Sequence, residues 1–314
     1  MATIYDVARL AGVSPSTVSR VLNDIKVRED LAGRVRKAAA MLSYEPNRAA
    51  RNLRRQKSEI VALIVPDIEN PYFTALARGV ENQCRADGYS VMLGNSDEDM
   101  TKEAEYLDIA LLELTAGVIL AHASKNTDIS ALLQSGRPVV AVDRAPERSQ
   151  IDSVSVDNQA AGRLATALLC DRGFSRIACV TGPYDVETAT LRAAGWKAEL
   201  NARGMRPGPL IHSDYRYDGG HDAVQELLSG ELPPDAIVVT NNLMAAGALH
   251  ALDEPGRIGL ASIGDLPYAS LEHDGVDVVP LPARKLGELA AQVLIDRIRG
   301  DTSPPRSLEL PITR

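Results

Sequence analysis

Two rhythms of apolar residues divide the chain. From Thr3 to Ser43 the apolar positions recur at helical spacing. Ile4, Val7 and Ala8 share one face of a first helix. Thr3 and Asp6 stand where a capping box with a shortened acid would place them, and Gly12 is the expected stop. Ser14 is expected to cap a second helix with Pro15 at its first position, where a missing N–H costs nothing; Val18, Val21 and Leu22 then face inward. A third helix, roughly Arg28 to Ser43, carries Leu31, Val35, Ala38 and Leu42 on one side. From Glu59 onward short apolar runs alternate with amphipathic stretches. The runs are IVALIV (60–65), SVMLG (90–94), GVILA (117–121) and PVVAV (138–142), then RIACVTG (176–182), AIVVT (236–240) and IGLASIG (258–264). Between them Phe73, Leu76, Ala77, Val80 and Cys84 keep helical spacing. This βαβ alternation predicts parallel sheets covered by helices on both faces, and two sets of runs predict two similar subdomains. In such folds ligands bind beyond the C-terminal ends of the strands.

Charge sharpens the division. Residues 1–57 hold twelve Lys or Arg against five Asp or Glu, a net of +7, and the rest holds 22 against 37, a net of −15. A basic head on an acidic body points to a polyanion as the partner of the head alone. No stretch is apolar over the ~18 residues that a membrane span needs. MATIYDVARLAG lacks the basic and apolar regions of a signal peptide, so a cytoplasmic protein is expected. The three cysteines (Cys84, Cys170, Cys179) match no metal spacing, and their odd number argues for core residues in a reducing compartment. The five histidines (His122, His212, His221, His250, His273) show no ligand-like pairing. No P-loop, G-x-G-x-x-G, G-x-S-x-G or H-E-x-x-H motif is present, so neither catalysis nor a cofactor is expected.

Two short helices joined by a tight turn, with a third beneath them, predict a helix-turn-helix whose second helix enters the major groove. Pro15, Ser16 and Arg20 then face the groove: Arg20 reaches a guanine edge or a phosphate, Ser16 a base or the backbone, while Thr17 and Ser19 suit phosphates. A small helical interaction domain is the plainer alternative, and the charge asymmetry weighs against it. Further on, Asn47 can cap a basic helix from Arg48 to about Arg55, two turns that are too short to be stable alone.

TIYDVARLAGVSPSTVSRVLN resembles the DNA-binding signature of the lactose-repressor (LacI/GalR) family of bacterial transcription regulators. YEPNRAARNLRRQ resembles that family's hinge, and IVALIVPDIENPYF the start of its sugar-binding core. The resemblance implies an all-α helix-turn-helix domain at 1–46, a hinge at 47–58 and a core at 59–314. That core is α/β and periplasmic-binding-protein-like, with two parallel-sheet lobes of about 59–158 and 159–280 and a C-terminal segment that crosses back. It also implies that a homodimer reads a palindromic double-stranded DNA operator. Thr3, Tyr5, Ser14 and Asn23 join the contacts above, as do Asn47, Ala50, Leu53 and Arg54 of the hinge. Leu53 matches the wedge that pries apart a central base step in the minor groove.

Polar residues follow the strand-like runs: Asp143 and Arg144 after PVVAV, Asn241 and Asn242 after AIVVT, and Asp265 after IGLASIG. Polyols are held by such donors and acceptors with an aromatic face beside them. The family's effector residues match at Asp143, Arg192 and Asn241, its aromatic at Tyr215, and its cleft-facing helix start at Tyr72 and Phe73; Thr188 is a weaker candidate. Each has a plainer alternative: a loop cap for Asp143, an inter-lobe salt bridge for Arg192, a turn for Asn241 and the core for Phe73. The chain departs from the family where Gly-Phe-Asp-Asp or Gly-Tyr-Asp-Asp is usual. IGDLPYASL is two residues shorter, which aligns Asp265 with the second Asp. Arg144 beside Arg192 suits an anionic effector, a sugar acid or sugar phosphate, unless Arg144 bridges the lobes. The reading is a repressor, controlled by a small carbohydrate-like effector. A carbohydrate receptor without DNA reading and an enzyme of the same doubly wound class are the alternatives. The end LELPITR carries no heptad tail, so a dimer is expected rather than a tail-assembled tetramer.

Overall fold

In the computed structural model the chain forms two compact units, 1–58 and 59–314. The structure describes residues 2–22, 25–44, 58–124, 126–144, 151–252, 257–266 and 275–313.

The first unit contains α1 (Ile4–Ala11), α2 (Pro15–Leu22) and α3 (Glu29–Met41). Thr3 closes a true capping box: its hydroxyl accepts from the Asp6 N–H, and the Asp6 carboxylate accepts from the Thr3 N–H at 3.0 Å. That hydroxyl, first, and the Thr3 N–H hold the Asp6 carboxyl below its usual range. Gly12 ends α1 at φ 63°, a conformation that costs glycine nothing. Arg34 of α3 donates to the freed carbonyls of Ala11 and Gly12, which locks the turn. The Thr17 N–H donates to Ser14 Oγ at 3.2 Å at the start of α2. Val7, Ala8, Val18, Val21, Val35 and Ala38 make the buried core.

The second unit has two lobes. The first lobe carries β1 (Ile60–Val65), β2 (Ser90–Asn95), β3 (Gly117–Leu120), β4 (Val139–Val142), β5 (Asp152–Val156) and β11 (Ser307–Leu310). The second carries β6 (Ile177–Thr181), β7 (Leu210–His212), β8 (Ala236–Val239), β9 (Gly259–Ile263) and β10 (Val276–Val279). The sheet orders are β2-β1-β3-β4-β5-β11 and β7-β6-β8-β9-β10. Every described pairing is parallel. Leaving β11 aside, both follow the order 2-1-3-4-5, so each has a switch point beside its first strand, where loops diverge and a crevice opens.

Helices α4 (Pro71–Ala86), α5 (Met100–Leu112), α6 (Ser130–Gln134), α7 (Asn158–Asp171), α8 (Glu187–Ala202), α9 (Tyr217–Ser229), α10 (Asn242–Ala251) and α11 (Ala283–Ile298) cover the sheets. Three pairs meet backbone to backbone. A Cβ on Gly79 would lie 2.0 Å from the Arg284 carbonyl oxygen, and one on Gly287 2.1 Å from that of Leu76, so α4 and α11 interlock. Gly162 and Gly195 do the same for α7 and α8, and Gly220 and Gly247 for α9 and α10. The chain leaves the first lobe after β5, and α7 then packs under β8, β9 and β10. It returns after β10 through 280–282 into α11, which packs on β3, β4 and β5. At that return Arg297 grips Asp152 through Nε at 2.6 Å and Nη2 at 3.0 Å, and the Arg306 N–H donates to the same carboxylate.

The strands β5, β7, β10 and β11 are additions to those expected from the apolar runs. They are short and carry polar residues, as in DSVSV and SLEL. Cys84, Cys170 and Cys179 are free thiols. Among the described residues no helix is long and apolar enough to cross a membrane, and no group of three or more His, Cys, Asp or Glu is placed to hold a metal.

Candidate functional sites: a helical DNA-reading face and an inter-lobe cleft

On α2 the buried residues are Val18 and Val21, and the opposite face presents Ser16 and Arg20, both exposed, one turn apart. Pro15, Thr17 and Ser19 are half-buried beside them. Ser14 Oγ lies 2.7 Å from Ser16 Oγ and 2.9 Å from Thr17 Oγ1, so three hydroxyls share the N-terminal end of this helix. Tyr5 is 66% exposed on α1, while Thr3 spends its N–H and hydroxyl on the capping box. Asn23, Asn47, Ala50, Leu53 and Arg54 lie outside the described residues.

In the second unit a cavity of about 770 Å³ opens at the C-terminal ends of the strands of both sheets. Its size is that of a small-molecule site. Tyr72, Phe73, Asp143, Arg144, Thr188, Arg192, Tyr215, Asn241 and Asp265 all line it. The first lobe supplies Asp143, buried and at φ 68° just after β4. Its Oδ1 accepts from the Tyr72 hydroxyl at 2.6 Å. Burial, and then the Asp143 charge, raise the Tyr72 pKa well above its ordinary value, so this hydroxyl stays a donor. Phe73 meets Tyr72 edge-on at 5.1 Å and belongs to the core as much as to the cavity.

The second lobe supplies Arg192, a buried guanidinium. Its Nε donates to Asn158 Oδ1 at 2.8 Å and its Nη1 to the Thr240 carbonyl at 2.8 Å. Neither partner is an acid, so Arg192 is not an inter-lobe salt bridge but a fixed cation beside the cavity. Tyr215, at φ 64° and with its hydroxyl 3.0 Å from Thr188 Oγ1, lays its ring over Gly182. A Cβ there would lie 2.1 Å from Tyr215 Cζ. Two bulky or charged residues in the left-handed region on facing walls are the backbone strain that functional sites tolerate. Asn241 has a double role: its Oδ1 caps α10 by accepting from the Met244 N–H at 3.0 Å, which leaves its NH2 as the part able to face a ligand. Asp265 is exposed at the rim, after Gly264 at φ 97°.

Arg144 is engaged rather than free. Its Nη1 and Nη2 clasp the two oxygens of Glu98 at 2.8 and 2.7 Å, and Nη1 also reaches the His122 carbonyl at 2.8 Å. Both partners, and Asp143 at 3.8 Å, belong to the first lobe, so Arg144 does not bridge the lobes. Burial opposes its charge, but Glu98 outweighs burial and keeps the guanidinium more firmly protonated than usual. The cation that the sequence offered to an anionic effector is thus already neutralised. Beneath it His122 is buried, with neither ring nitrogen hydrogen-bonded among the described residues, and burial followed by the Arg144 charge lowers its pKa to about 4.

Four further residues escaped the sequence reading. Asn158 holds Arg192, Glu98 neutralises Arg144, and Gly182 makes room for Tyr215. Asn70 caps α4 by accepting from the Tyr72 N–H at 3.0 Å, and also accepts from Asn242 Nδ2 of the other lobe. Only the Asn-Pro start of α4 had a readable signal, that of a cap before a proline.

Residues 58–313 match the family described as periplasmic binding proteins and sugar binding domain of the LacI family, and residues 3–47 match bacterial regulatory proteins, lacI family. The chain is 35% identical to the ribose operon repressor of Escherichia coli K12, over 99% of this chain and 97% of that one. It is 33% identical to the ribose operon repressor of Bacillus subtilis, over 100% and 97%. Among solved structures, the transcriptional regulator CelR in complex with cellobiose is 28% identical, covering 100% of this chain and 98% of that chain at a TM-score of 0.75. The lac repressor dimer bound to operator, 24% identical over 99% and 97%, shares the fold at a TM-score of 0.87. With both segments matched and the helical head and twin parallel sheets in place, the chain belongs to the LacI family of bacterial regulatory proteins.

Proposed function

We propose that this chain is a cytoplasmic, homodimeric transcriptional repressor. Its α2 face reads a palindromic operator, and a neutral sugar of pentose or hexose size binds between its lobes. The observation that carries this reading is the lining of the cavity. Asp143 from one lobe and Arg192 from the other face a single space with the Tyr215 ring beside it, while Arg144 is consumed by Glu98. Opposed acceptor and donor groups with an aromatic plate suit hydroxyls and C–H faces; an anion would meet Arg192 alone, against the Asp143 carboxylate, because Glu98 holds Arg144. The names of the relatives make D-ribose the first ligand to try. The site is assigned to binding and not to turnover.

The second copy is placed on the edge of the first lobe. Edge strand β2 and the following α5 carry Leu93, Met100, Ile109 and Leu112, all exposed, and apolar exposure of this kind marks interaction surfaces. Binding in the cleft shifts the lobes, and residues 47–58 carry the shift to the head, as the family resemblance implies. Operator and sugar must then alter each other's affinity by the same factor.

Two experiments test the reading. Selection from a random duplex pool at fixed, near-physiological salt should enrich a palindrome; phosphate contacts make affinity too salt-dependent for any other design. Calorimetry should show binding of D-ribose or another neutral sugar, abolished in Arg192→Ala with operator binding retained. Binding of ribose 5-phosphate or gluconate with no neutral sugar bound would overturn the neutral-effector reading.

A further inference from the structure

Asn158 is the first residue of α7, at the point where the chain leaves one lobe for the other, and it is 3% exposed. Its amide is used at both ends. Oδ1 accepts from Arg192 Nε at 2.8 Å, on the second-lobe wall of the cavity. Nδ2 donates to the carbonyl of Val156 at 3.1 Å, the last residue of β5 in the first lobe's sheet. The backbone on either side is pinned. The Asp157 N–H donates to the Leu310 carbonyl at 3.1 Å on β11, and the Arg192 carbonyl rests on Gly162 of α7. A pull on the Arg192 guanidinium therefore reaches the crossing strand through one side chain, without passing through the sheet of the second lobe.

We propose that Asn158 is the positioning residue that couples the effector seat to the inter-lobe crossing. This inference rests on the reading of the cleft as an effector site. The role demands an amide. An aspartate at 158 would still accept from Arg192, but its second oxygen would face the Val156 carbonyl, acceptor against acceptor. An alanine would lose both contacts. The two substitutions thus separate holding Arg192 from transmitting its position.

The test compares full-length wild type, N158D and N158A. Calorimetry gives the D-ribose Kd with and without the selected operator. A wild-type ratio of about five-fold or more is expected. N158D should bring the ratio towards one whatever its own D-ribose Kd, because its carboxylate still accepts from Arg192 but loses Val156. N158A should lose affinity and ratio together. N158D with the wild-type ratio would overturn the proposal. Amide hydrogen exchange on the ligand-free protein gives a second readout that needs no sugar. N158D should quicken exchange at 154–157 alone, and N158A at both 154–157 and 189–193. Unchanged exchange at 154–157 in both variants, or uniform quickening across the core as a merely structural amide would give, would overturn it. Should wild type ignore D-ribose while the two variants still show this exchange pattern, the ligand assignment fails and the coupling role stands.

Discussion

Asn242 of the second lobe donates through Nδ2 to Asn70 Oδ1 of the first at 3.0 Å, and both residues are buried beside the cavity. Each stands at the N-terminal end of a helix, α10 or α4, so a hydrogen bond between two side chains fixes the spacing of two helix starts across the cleft.

Replacing Asn242 with Ala removes this link and leaves the Asn70 cap on Tyr72 in place. A net hydrogen bond is worth about 1 kcal/mol, so the affinity for the effector sugar should fall about five-fold, as read by calorimetry. A rise in affinity would mean that the sugar prefers the lobes apart.

Gly182→Ala should be far more damaging than its size suggests. The new methyl would stand 2.1 Å from Tyr215 Cζ and 2.3 Å from Cε1, and the Thr188 contact would break as the ring moved. Overpacking of this kind costs roughly 1–3 kcal/mol. Urea denaturation should register that loss, and adding Tyr215→Ala should recover most of it. Simple additivity of the two changes would show that they do not meet.

His122 gives the fold an acid-sensitive point. Its folded pKa of about 4 lies below the ordinary 6.5, so the unfolded chain takes up the proton first. Stability should therefore decline as pH falls below about 6.5, by roughly 2 kcal/mol at pH 5, and the decline should level off below pH 4. His122→Leu fills a similar volume and removes two nitrogens that have no hydrogen-bond partner among the described residues. It should match or exceed the wild type at pH 7 and flatten this limb in urea titrations at pH 7 and pH 5. An unchanged slope would locate the proton uptake elsewhere.

Arg20→Ala tests the head alone. A base-edge contact is worth about 1–3 kcal/mol of discrimination, so specific binding should drop roughly 10- to 100-fold while non-specific binding stays nearly constant. An equal loss on all sequences, with a salt slope smaller by about one, would reassign Arg20 to a phosphate.

Much of this was legible in the order of residues. The Thr3–Asp6 cap, the Gly12 stop and the Ser14–Pro15 start are local, and each formed as its spacing requires. The long apolar strands were equally plain, because a strand buried on both faces has a continuous signature. What stayed hidden depends on partners distant in sequence. Arg144 looked like a free cation until Glu98, 46 residues earlier, closed on it. Asn158 was an ordinary helix-starting residue until Arg192 arrived from 34 residues away. Gly182 read as a strand end, and only the Tyr215 ring reveals what its missing side chain is for. Strands β5, β7, β10 and β11 are three to five residues long, too brief for alternation to stand out.

The interlocked glycines divide labour within the body. Each time the chain crosses between lobes it enters at once a helix, α7 or α11, that is keyed to a neighbour by backbone contact on both sides. Those helices cannot slide without collision, so each lobe is held as a stiff plate, and the chain between the plates is short: residue 157, tied by its N–H to the Leu310 carbonyl, and residues 280–282. The other loops at the strand ends belong to neither crossing nor key. Their side chains can be exchanged to suit another ligand while the machinery that converts binding into motion is left untouched.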